Sequence, residues 1–430
     1  MNVQKHVSLN LNIRGLNHSA TLAINDLSNE LRHNGKAIYR AGLGQSPFPV
    51  PTPVVDALKL HAHEKDYLPA KGLLALREAV ADFQRHKDGV DARAENVIIG
   101  PGSKELMFLL QLVYYGELLV PTPCWVSYIP QAQIIGRQIS LIHTDARDHW
   151  KMTAKRFEEH CRLEEDDYRP RILILNYPNN PVGNTYSEKE LKKLAEIARK
   201  YEVVLLSDEI YGQLHHKGKH ISVARFYPEG TIISSGLSKW CGAGGWRLGT
   251  FTFPPALDWL LEKMTVVASE TYTSVSAPIQ YAAVAAFRGG VKIERYLWHA
   301  RRILAELGKK NAALLNKAGI RVCPPEGAFY LFLDFTPQSK NLKKRGIKTG
   351  RELCQKLLEE TGVAVLPGSA FGRPDEELTA RFAYVDFDGA KALTASETIP
   401  LEKSLPDDFI DHWCGNVIKA TRAIIDWVKP

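Results

Sequence analysis

The sequence predicts an α/β fold, with a large domain built on a mostly parallel seven-stranded sheet sandwiched by helices and a smaller α+β domain. Short, continuously apolar strands alternate with helical segments between residues 97 and 253, and such strands are typical of a parallel sheet that is covered on both faces. The chain has 430 residues, which exceeds the size at which one core stops growing and favours two lobes. Clusters of polar and small residues follow several strands, so their side chains are expected to meet at one edge of the sheet.

The segment before the first strand is predicted to hold three helices and two loops. Apolar residues at helical spacing predict a helix over 19–35 that ends on a glycine, and further helices over 54–60 and 73–85. The loops at 42–47 and 67–72 are rich in turn-forming residues.

Seven strands of the large sheet follow, with helices between them. In chain order the strands are predicted at 97–99, 118–120, 139–142, 172–175, 203–206, 231–233 and 248–253. One helix begins after 100–103 and another lies near 153–163, and a third starts at the capping box formed by Ser187 and Glu190.

A second, smaller domain is predicted beyond the last of these strands. A long helix over 279–318 is expected to link the two domains. The smaller domain holds two candidate strands, 329–333 and 381–385, and two candidate helices, 350–360 and 408–427.

Composition and charge exclude several classes of function. Hydrophobic residues make up 45% of the chain and charged residues 24%, which describes an ordinary globular protein. The net charge of +7 is spread along the sequence and does not favour a nucleic-acid partner. The longest apolar stretch, 106–115, contains Gln111 and is too short to cross a membrane, and the start of the chain lacks the pattern of a secretory signal.

The cysteines and histidines favour a cytoplasmic protein without a metal site. The six cysteines lie far apart with no C-x-x-C pair, which is typical of reduced thiols rather than disulfides or zinc ligands. The histidines lack companions at metal-ligand spacing.

Lys239 lies just past the sixth predicted strand, in a stretch rich in small residues. Arg247 follows eight residues later, and the glycines between and after them allow a ligand to approach the backbone. A lysine whose pKa is lowered by burial or by a nearby cation is suited to Schiff-base chemistry. The pair therefore indicates a ligand with a carbonyl group and a phosphate, and the structural alternative is a surface lysine and arginine in a glycine-rich loop.

Five clusters of unusual residues end predicted strands, and together they match the parts of pyridoxal phosphate. They lie at 100–104, 121–125, 176–180, 208–211 and 236–239. Gly102, Ser103 and Lys104 at the start of a helix suit the phosphate, because backbone N–H groups and the positive end of the helix dipole face an anion there. Arg247 would add charge-assisted hydrogen bonds.

The remaining clusters suit the ring of the same cofactor. Asp208 is expected to keep a ring nitrogen protonated, so that the ring withdraws electrons from a carbanion. Tyr211 and Asn180 are expected to hydrogen-bond the ring hydroxyl, and Trp125 to stack on the ring face. Each residue also has a structural alternative: a helix cap for the aspartate, a turn for Asn-Asn-Pro and a core position for the tryptophan.

A series of motifs runs in order from about residue 10 to about residue 390. They lie at 67–72, 76–77, 123–128, 176–183, 207–211, 238–239, 245–249, 325–330 and 365–372. In this order and spacing they resemble the class I/II aminotransferase family of the fold-type I pyridoxal-phosphate enzymes. The segments 145–170 and 387–410 lie outside the best match, and Gly236 stands where many members have a hydroxyl residue.

The resemblance implies a role for individual residues. Lys239 would bind the cofactor and move a proton between the substrate α-carbon and the cofactor, with Asp208 and Tyr211 as the other catalytic residues. Tyr67 would reach the phosphate of a neighbouring subunit, so a homodimer with shared active sites is expected. The implied cofactor-binding residues are Lys239, Gly102, Ser103, Lys104, Trp125, Asn180, Asp208, Tyr211, Ser238, Arg247 and Tyr67.

The implied substrate site has two parts. Arg381 would hold the α-carboxylate bidentately, helped by the loop at Gly44 and by Asn180. A second set, Ser19, Thr21 and Lys104, resembles the residues that receive the distal carboxylate in the bacterial aspartate-aminotransferase subgroup. The structural alternative is that Lys104 points to solvent and Ser19 caps a helix.

The resemblance therefore predicts a transaminase that moves an amino group from aspartate to 2-oxoglutarate. The alternatives are aromatic or other neutral donors, a lyase or decarboxylase reaction on the same fold, and a ligand-sensing regulator, which the early start of the match disfavours. The expected division is an N-terminal arm with part of the small domain at 1–45, a large cofactor-binding domain at 46–315 and a small C-terminal domain at 316–430.

Overall fold

The computed structural model describes residues 10–14, 16, 20–163 and 169–429. Its strands are β1 (Tyr39–Arg40), β2 (Val97–Gly100), β3 (Glu117–Thr122), β4 (Ile139–His143), β5 (Arg171–Asn176), β6 (Val204–Asp208), β7 (Thr231–Gly236), β8 (Gly249–Thr252), β9 (Tyr330–Asp334), β10 (Val363–Ala364), β11 (Leu366–Pro367) and β12 (Thr379–Ala383). Its α-helices are α1 (Ala20–His33), α2 (Thr52–Leu60), α3 (Leu74–Phe83), α4 (Ser103–Val113), α5 (Tyr128–Ile134), α6 (Ala154–Leu163), α7 (Glu188–Lys200), α8 (Asp258–Thr271), α9 (Ala277–Arg288), α10 (Val291–Lys317), α11 (Ser339–Lys344), α12 (Gly350–Thr361), α13 (Gly389–Glu397), α14 (Phe409–Trp413) and α15 (Gly415–Val428).

The central sheet has seven strands in the order β2-β8-β7-β6-β5-β3-β4. Strand β8 is antiparallel to both of its neighbours, whereas the other adjacent pairs are parallel. The predicted mostly parallel, seven-stranded sheet is confirmed. Strands β5 and β6 are buried along their whole length, which explains why their sequences are apolar without alternation.

The predicted capping box at the start of α7 is confirmed. The Ser187 hydroxyl accepts a hydrogen bond from the backbone N–H of Glu190, and the Glu190 carboxylate accepts one from the backbone N–H of Ser187. These bonds satisfy backbone donors that a helix start leaves free.

The prediction of one long helix over 279–318 is wrong, because two helices, α9 and α10, occupy this segment. Gly289 and Gly290 separate them with φ angles of 71° and 116°. These angles lie outside the helical region and are readily adopted by glycine alone. A Cβ atom on either residue would meet nothing within 4 Å, so backbone conformation rather than space calls for glycine here.

The helix predicted over 408–427 is also divided, into α14 and α15, at Cys414. Helices α5, α8, α11 and α13 were not predicted. For α8 the signal was present, since Leu260, Leu261, Met264 and Ala268 are buried at helical spacing.

The smaller domain contains the antiparallel sheet β11-β12-β9. Strand β1 pairs with β10 in parallel, so a segment from before the large sheet adds to the smaller domain. A hydrophobic core extends from α3 and α9 beside the central sheet, along α10, to the small sheet. Across the described ranges, every helix lacks the combination of length and apolar character needed to cross a membrane.

Candidate active site

A cavity of about 580 Å³ opens at the carboxyl edge of the central sheet. Its walls come from the loops after β3, β5, β6 and β7, the first turn of α4 and the loop before α2. The residues that line it are Gly44, Gln45, Ser103, Lys104, Trp125, Asn176, Asn180, Asp208, Ile210, Tyr211, Ser238, Lys239, Gly244, Gly245 and Arg247. All five strand-end clusters of the sequence contribute to it.

Lys239 reaches into this cavity from the loop after β7. Its Nζ donates a hydrogen bond to the carbonyl oxygen of Gly44 at 2.8 Å and lies 5.7 Å from the centroid of the Tyr211 ring. Enclosure in the cavity, followed by the positive charge of Arg381, lowers the pKa of Lys239 to about 8. About half of this amine is therefore uncharged at pH 8 and able to act as a nucleophile or a base.

Asp208 is buried at the end of β6. Its carboxylate accepts a hydrogen bond from the Tyr128 hydroxyl at 2.5 Å and one from the Ser234 hydroxyl at 3.3 Å. Burial raises the pKa of Asp208 to about 6, and the two hydroxyls oppose that rise. The group is mostly ionised at pH 7 and can hold a protonated nitrogen.

The adjacent residue, Glu209, is a second buried acid, and it is not among the residues that line the cavity. Its carboxylate accepts hydrogen bonds from His220 Nε2 at 2.7 Å and from the hydroxyls of Ser207 and Ser222 at 2.7 and 2.6 Å. Burial disfavours the charge on His220, yet Glu209 raises the pKa of that imidazole. The pair keeps the second negative charge compensated, so that Asp208 remains the anion that faces the cavity.

Tyr211 is buried beside Lys239, and its hydroxyl forms a 2.7 Å hydrogen bond with the hydroxyl of Tyr330 on β9. A Cβ atom on Gly44 would lie 2.0 Å from the Tyr330 hydroxyl oxygen. Glycine at position 44 therefore lets the loop before α2 approach both Tyr330 and Lys239.

The N-terminus of α4 and Arg247 form one end of the cavity. Gly102, just before the helix, has φ of 91°, and a Cβ atom there would lie 2.2 Å from Arg247 Nη2. Arg247 itself has φ of 55°, and its guanidinium donates to the carbonyl oxygens of Gly244 and Pro101. Free backbone N–H groups and a guanidinium thus converge where an anion binds favourably.

Lys104 and Trp125 form the adjoining wall. Lys104 Nζ lies 5.2 Å from the centroid of the Trp125 ring, and burial, with the nearby charge of Arg247, lowers the pKa of Lys104. Lys104 thus lines the cavity, and the residue also remains exposed to solvent.

Arg381 lies on β12 of the small sheet and is buried. Its Nη1 donates to Asn180 Oδ1 at 3.1 Å and its Nη2 donates to the carbonyl oxygen of Gly42 at 2.6 Å. Its Nε has no hydrogen-bond partner among the residues that the structure describes. An unpartnered buried donor is costly, so this guanidinium is suited to receive a carboxylate.

One predicted site residue, Tyr67, stands apart from the cavity, and the side chains of two others, Ser19 and Thr21, are not among those described. Tyr67 is 90% exposed and does not line it. Ser19 lies outside the described residues, and of Thr21 only its helical backbone is described.

The departure at Gly236 has a steric reason. Its φ is 156°, and a Cβ atom would lie 2.7 Å from the carbonyl oxygen of Leu248. A hydroxyl residue does not fit here, and Ser238 is the nearby residue that lines the cavity.

Sequence reasoning missed Tyr128 and Tyr330, although both fall inside motifs it used, 123–128 and 325–330. Their partners, Asp208 and Tyr211, lie 80 and 119 residues away along the chain. Only the folded arrangement shows these pairs.

Comparison with known proteins gives consistent results. The model of the family described as aminotransferase class I and II matches residues 41–385. An aspartate aminotransferase of Geobacillus stearothermophilus is 32% identical over 397 residues, which cover 90% of this chain and 95% of that protein. An aspartate aminotransferase of Bacillus subtilis (strain 168) is 30% identical over 373 residues, which cover 84% of this chain and 91% of that protein.

The fold also matches a solved structure over almost the whole chain. The aspartate aminotransferase of Thermus thermophilus with maleate superposes with a TM-score of 0.81 at 26% identity, over 97% of this chain and 99% of that one. Sequence and fold are thus shared over nearly the whole chain, and this protein belongs to the class I and II aminotransferases.

Proposed function

We propose that this aminotransferase uses pyridoxal phosphate to move the amino group of aspartate to 2-oxoglutarate, and that it acts as a homodimer. The proposal depends on one observation: the Lys239 amine, the Asp208 carboxylate and the N-terminus of α4 line the same cavity. The names of the relatives support aspartate as the donor.

The residues at the α4 end fit the phosphate of this cofactor. Gly102 carries no side chain, and any Cβ atom there would displace the Arg247 guanidinium. Ser103 offers its backbone N–H at the helix start, and Ser238 adds a hydroxyl from the β7 loop. Such a set of donors with a cation is suited to a doubly charged anion.

The opposite end of the cavity fits the ring. Asp208 would pair with the ring nitrogen, while Tyr211 and Asn180 would donate hydrogen bonds to the phenolic oxygen. Trp125 lies on the cavity wall, where it would stack on the ring face. When bound, pyridoxal phosphate supplies an aldehyde for the amine and a ring that withdraws electrons from the substrate α-carbon.

The protein residues then carry out binding and proton transfer. Lys239, once freed by an incoming amino acid, acts as the general base toward the α-proton, because burial holds its pKa near the working pH. The same amine later returns the proton, so one side chain acts as base and then as acid. The hydroxyls of Tyr128 and Ser234 hold Asp208 at the end of β6 and favour its charged form by hydrogen bonding.

Two cations would define the substrate. Arg381 has an unpartnered Nε and is already oriented by Asn180 and Gly42, which suits bidentate binding of the α-carboxylate. Lys104 would receive the distal carboxylate of aspartate or 2-oxoglutarate, because its pKa is lowered by burial and a nearby cation and an anion would relieve both.

The homodimer is supported by Tyr67. This tyrosine is 90% exposed on the chain and is not part of its own cavity. In a dimer with shared active sites, its hydroxyl would reach the phosphate held by the partner subunit.

The test is a panel of donors with 2-oxoglutarate, combined with absorbance spectra. Cofactor-loaded protein is expected to show a visible absorbance band and to turn over aspartate faster than neutral or aromatic donors. Lys239→Ala is expected to lose both, whereas Lys71→Ala, which removes an exposed amine bonded to the carbonyl of Glu95, retains both. A protein that stays colourless with the cofactor contradicts the proposal, and faster turnover of aromatic donors contradicts the choice of substrate.

A further inference from the structure

Tyr330 connects the two halves of the proposed site. Its hydroxyl lies 2.7 Å from the hydroxyl of Tyr211, and its ring centroid lies 4.9 Å from the guanidinium carbon of Arg381. The side chain is buried at the first position of β9, one strand away from Arg381 on β12. Tyr330 thus contacts both Tyr211, the proposed hydrogen-bond donor to the cofactor, and Arg381, the proposed binding residue for the substrate carboxylate.

A third segment closes on the same hydroxyl. The backbone at Gly44 approaches so closely that a Cβ atom would lie 2.0 Å from the Tyr330 oxygen. The carbonyl of Gly44 accepts the hydrogen bond from Lys239. The position of the Tyr330 hydroxyl is therefore fixed from three sides, by β9, by Tyr211 and by the loop before α2.

We propose that Tyr330 is a positioning residue whose hydroxyl directs the proton of Tyr211 toward the phenolic oxygen of the cofactor and whose ring holds Arg381 for the substrate α-carboxylate. This inference rests on the proposed function, since it concerns the same cofactor and substrate. It adds a residue that links carboxylate binding to the charge on the cofactor.

The hydroxyl role follows from counting protons. Each tyrosine hydroxyl has one proton to donate and lone pairs to accept others. When Tyr211 donates its proton to an anionic oxygen, the proton between the two tyrosines must come from Tyr330. Hydrogen bonds in such a chain strengthen one another, so Tyr330 makes Tyr211 the better donor.

The ring role follows from the stacking geometry. A guanidinium over an aromatic face is attracted to it, and the attraction grows when both groups are removed from water. The guanidinium carbon of Arg381 lies 4.9 Å from the ring centroids of both Tyr330 and Phe371. Two aromatic rings therefore contact the guanidinium while its Nη1 and Nη2 donate hydrogen bonds to Asn180 and Gly42.

The experiment measures the pH midpoint of the visible absorbance band in cofactor-loaded protein. A hydrogen bond donated to the phenolic oxygen of the cofactor spreads the negative charge of that oxygen. The Nζ atom of Lys239, when joined to the cofactor, would then release its proton at lower pH. Tyr330→Phe keeps the ring and removes the hydroxyl, and its midpoint is expected to rise by about half a unit. Tyr211→Phe removes the direct donor and is expected to raise the midpoint by about one unit or more.

The double variant separates a relay from an independent effect. If Tyr330 acts through Tyr211, Tyr211→Phe with Tyr330→Phe has the same midpoint as Tyr211→Phe alone. Tyr384→Phe is the matched control, because Tyr384 is also buried and its hydroxyl bonds the carbonyl of Ala328 at 3.4 Å, outside the cavity lining. Its midpoint is expected to equal that of the unsubstituted protein.

The ring is tested with maleate, a dicarboxylate that has no amino group to transfer. Tyr330→Phe is expected to bind maleate within about twofold of the unsubstituted protein, and Tyr330→Leu about tenfold more weakly. If Tyr330→Leu does not fold, Tyr330→Phe still tests the ring role. This variant keeps the ring, so clearly weaker binding of maleate by it would contradict the proposal.

The outcomes distinguish this inference from the proposed function. A normal absorbance band that titrates identically in Tyr330→Phe, or additive shifts in the double variant, overturns the positioning role and leaves the proposed function intact. A complete lack of the Lys239-dependent band in the unsubstituted protein overturns the proposed function itself.

Discussion

The hydroxyl of Tyr128 donates a hydrogen bond to the carboxylate of Asp208 at 2.5 Å. Tyr128 begins α5 after β3, and Asp208 ends β6, so the bond joins two segments that meet only at the edge of the sheet. It opposes the rise that burial imposes on the pKa of Asp208. A tyrosine therefore helps to keep this carboxylate charged near neutral pH.

Tyr128→Phe is expected to raise the pKa of Asp208 above its present value of about 6. The carboxyl is ionised above its pKa, so the variant should lose cofactor affinity first near pH 6 to 7 and regain it at pH 8 and above. Cofactor binding measured by absorbance across this range checks the expectation. Tyr114→Phe is the control, because that hydroxyl bonds the carbonyl of Arg171 at the other end of β5; equal pH profiles for both variants contradict the role of Tyr128.

The rate at which cofactor-free protein takes up pyridoxal phosphate is expected to rise with pH and to level off above about pH 8. The reason is that only the uncharged amine of Lys239 attacks an aldehyde, and burial lowers the pKa of this lysine to about 8. Stopped-flow absorbance gives the rate at each pH. A profile that keeps rising to pH 10 would show that the amine has the pKa of an ordinary lysine.

Gly102→Ala is expected to weaken binding of pyridoxal phosphate by about tenfold or more and to leave binding of pyridoxal, which has no phosphate, nearly unchanged. The new Cβ atom would lie 2.2 Å from Arg247 Nη2 and would displace the guanidinium. The comparison of the two ligands by equilibrium titration isolates the phosphate site.

Gly35→Ala is the matched control for this substitution. Gly35 has φ of 82°, similar to the 91° of Gly102, and a Cβ atom there meets nothing within 4 Å. It carries the same backbone penalty of about 1–2 kcal/mol without the clash. If both alanine variants lose cofactor equally, strain rather than the displaced guanidinium is responsible.

Lys104→Ala is expected to lower kcat/KM for aspartate by about tenfold to a hundredfold and to leave a neutral donor such as alanine within about threefold. The amine lies over the Trp125 ring in the cavity wall, where a distal carboxylate would pair with it. Steady-state rates with both donors give the ratio. Equal losses for the two donors would assign Lys104 to the cofactor alone.

The strands and the first-turn residues of the site could be predicted from sequence because their signals are local. Continuous apolar segments predict β5 and β6, and the cavity is lined by Asp208, the last residue of β6, and by Asn180, which follows β5. The shared site could be predicted as well, because parallel strands place their carboxyl ends at the same edge of the sheet.

The pairs of hydroxyls could not be predicted, because each joins segments far apart in sequence. Tyr330 meets Tyr211 only after the small sheet packs against the central one. The break at Gly289 and Gly290 is a different case, because two consecutive glycines are a local signal that favours the end of a helix.

Arg381 stands on β12 of the three-stranded sheet, whereas Lys239 follows β7 of the central sheet. The separation between the guanidinium of Arg381 and the amine of Lys239 is thus a property of how the two lobes meet, and the loop before α2 accepts hydrogen bonds from both through its carbonyls at Gly42 and Gly44. In the proposed reaction, the carboxylate and amino groups that all α-amino acids share would span the distance between the lobes. A shift of one lobe against the other is therefore expected to slow every amino donor alike, whatever its side chain.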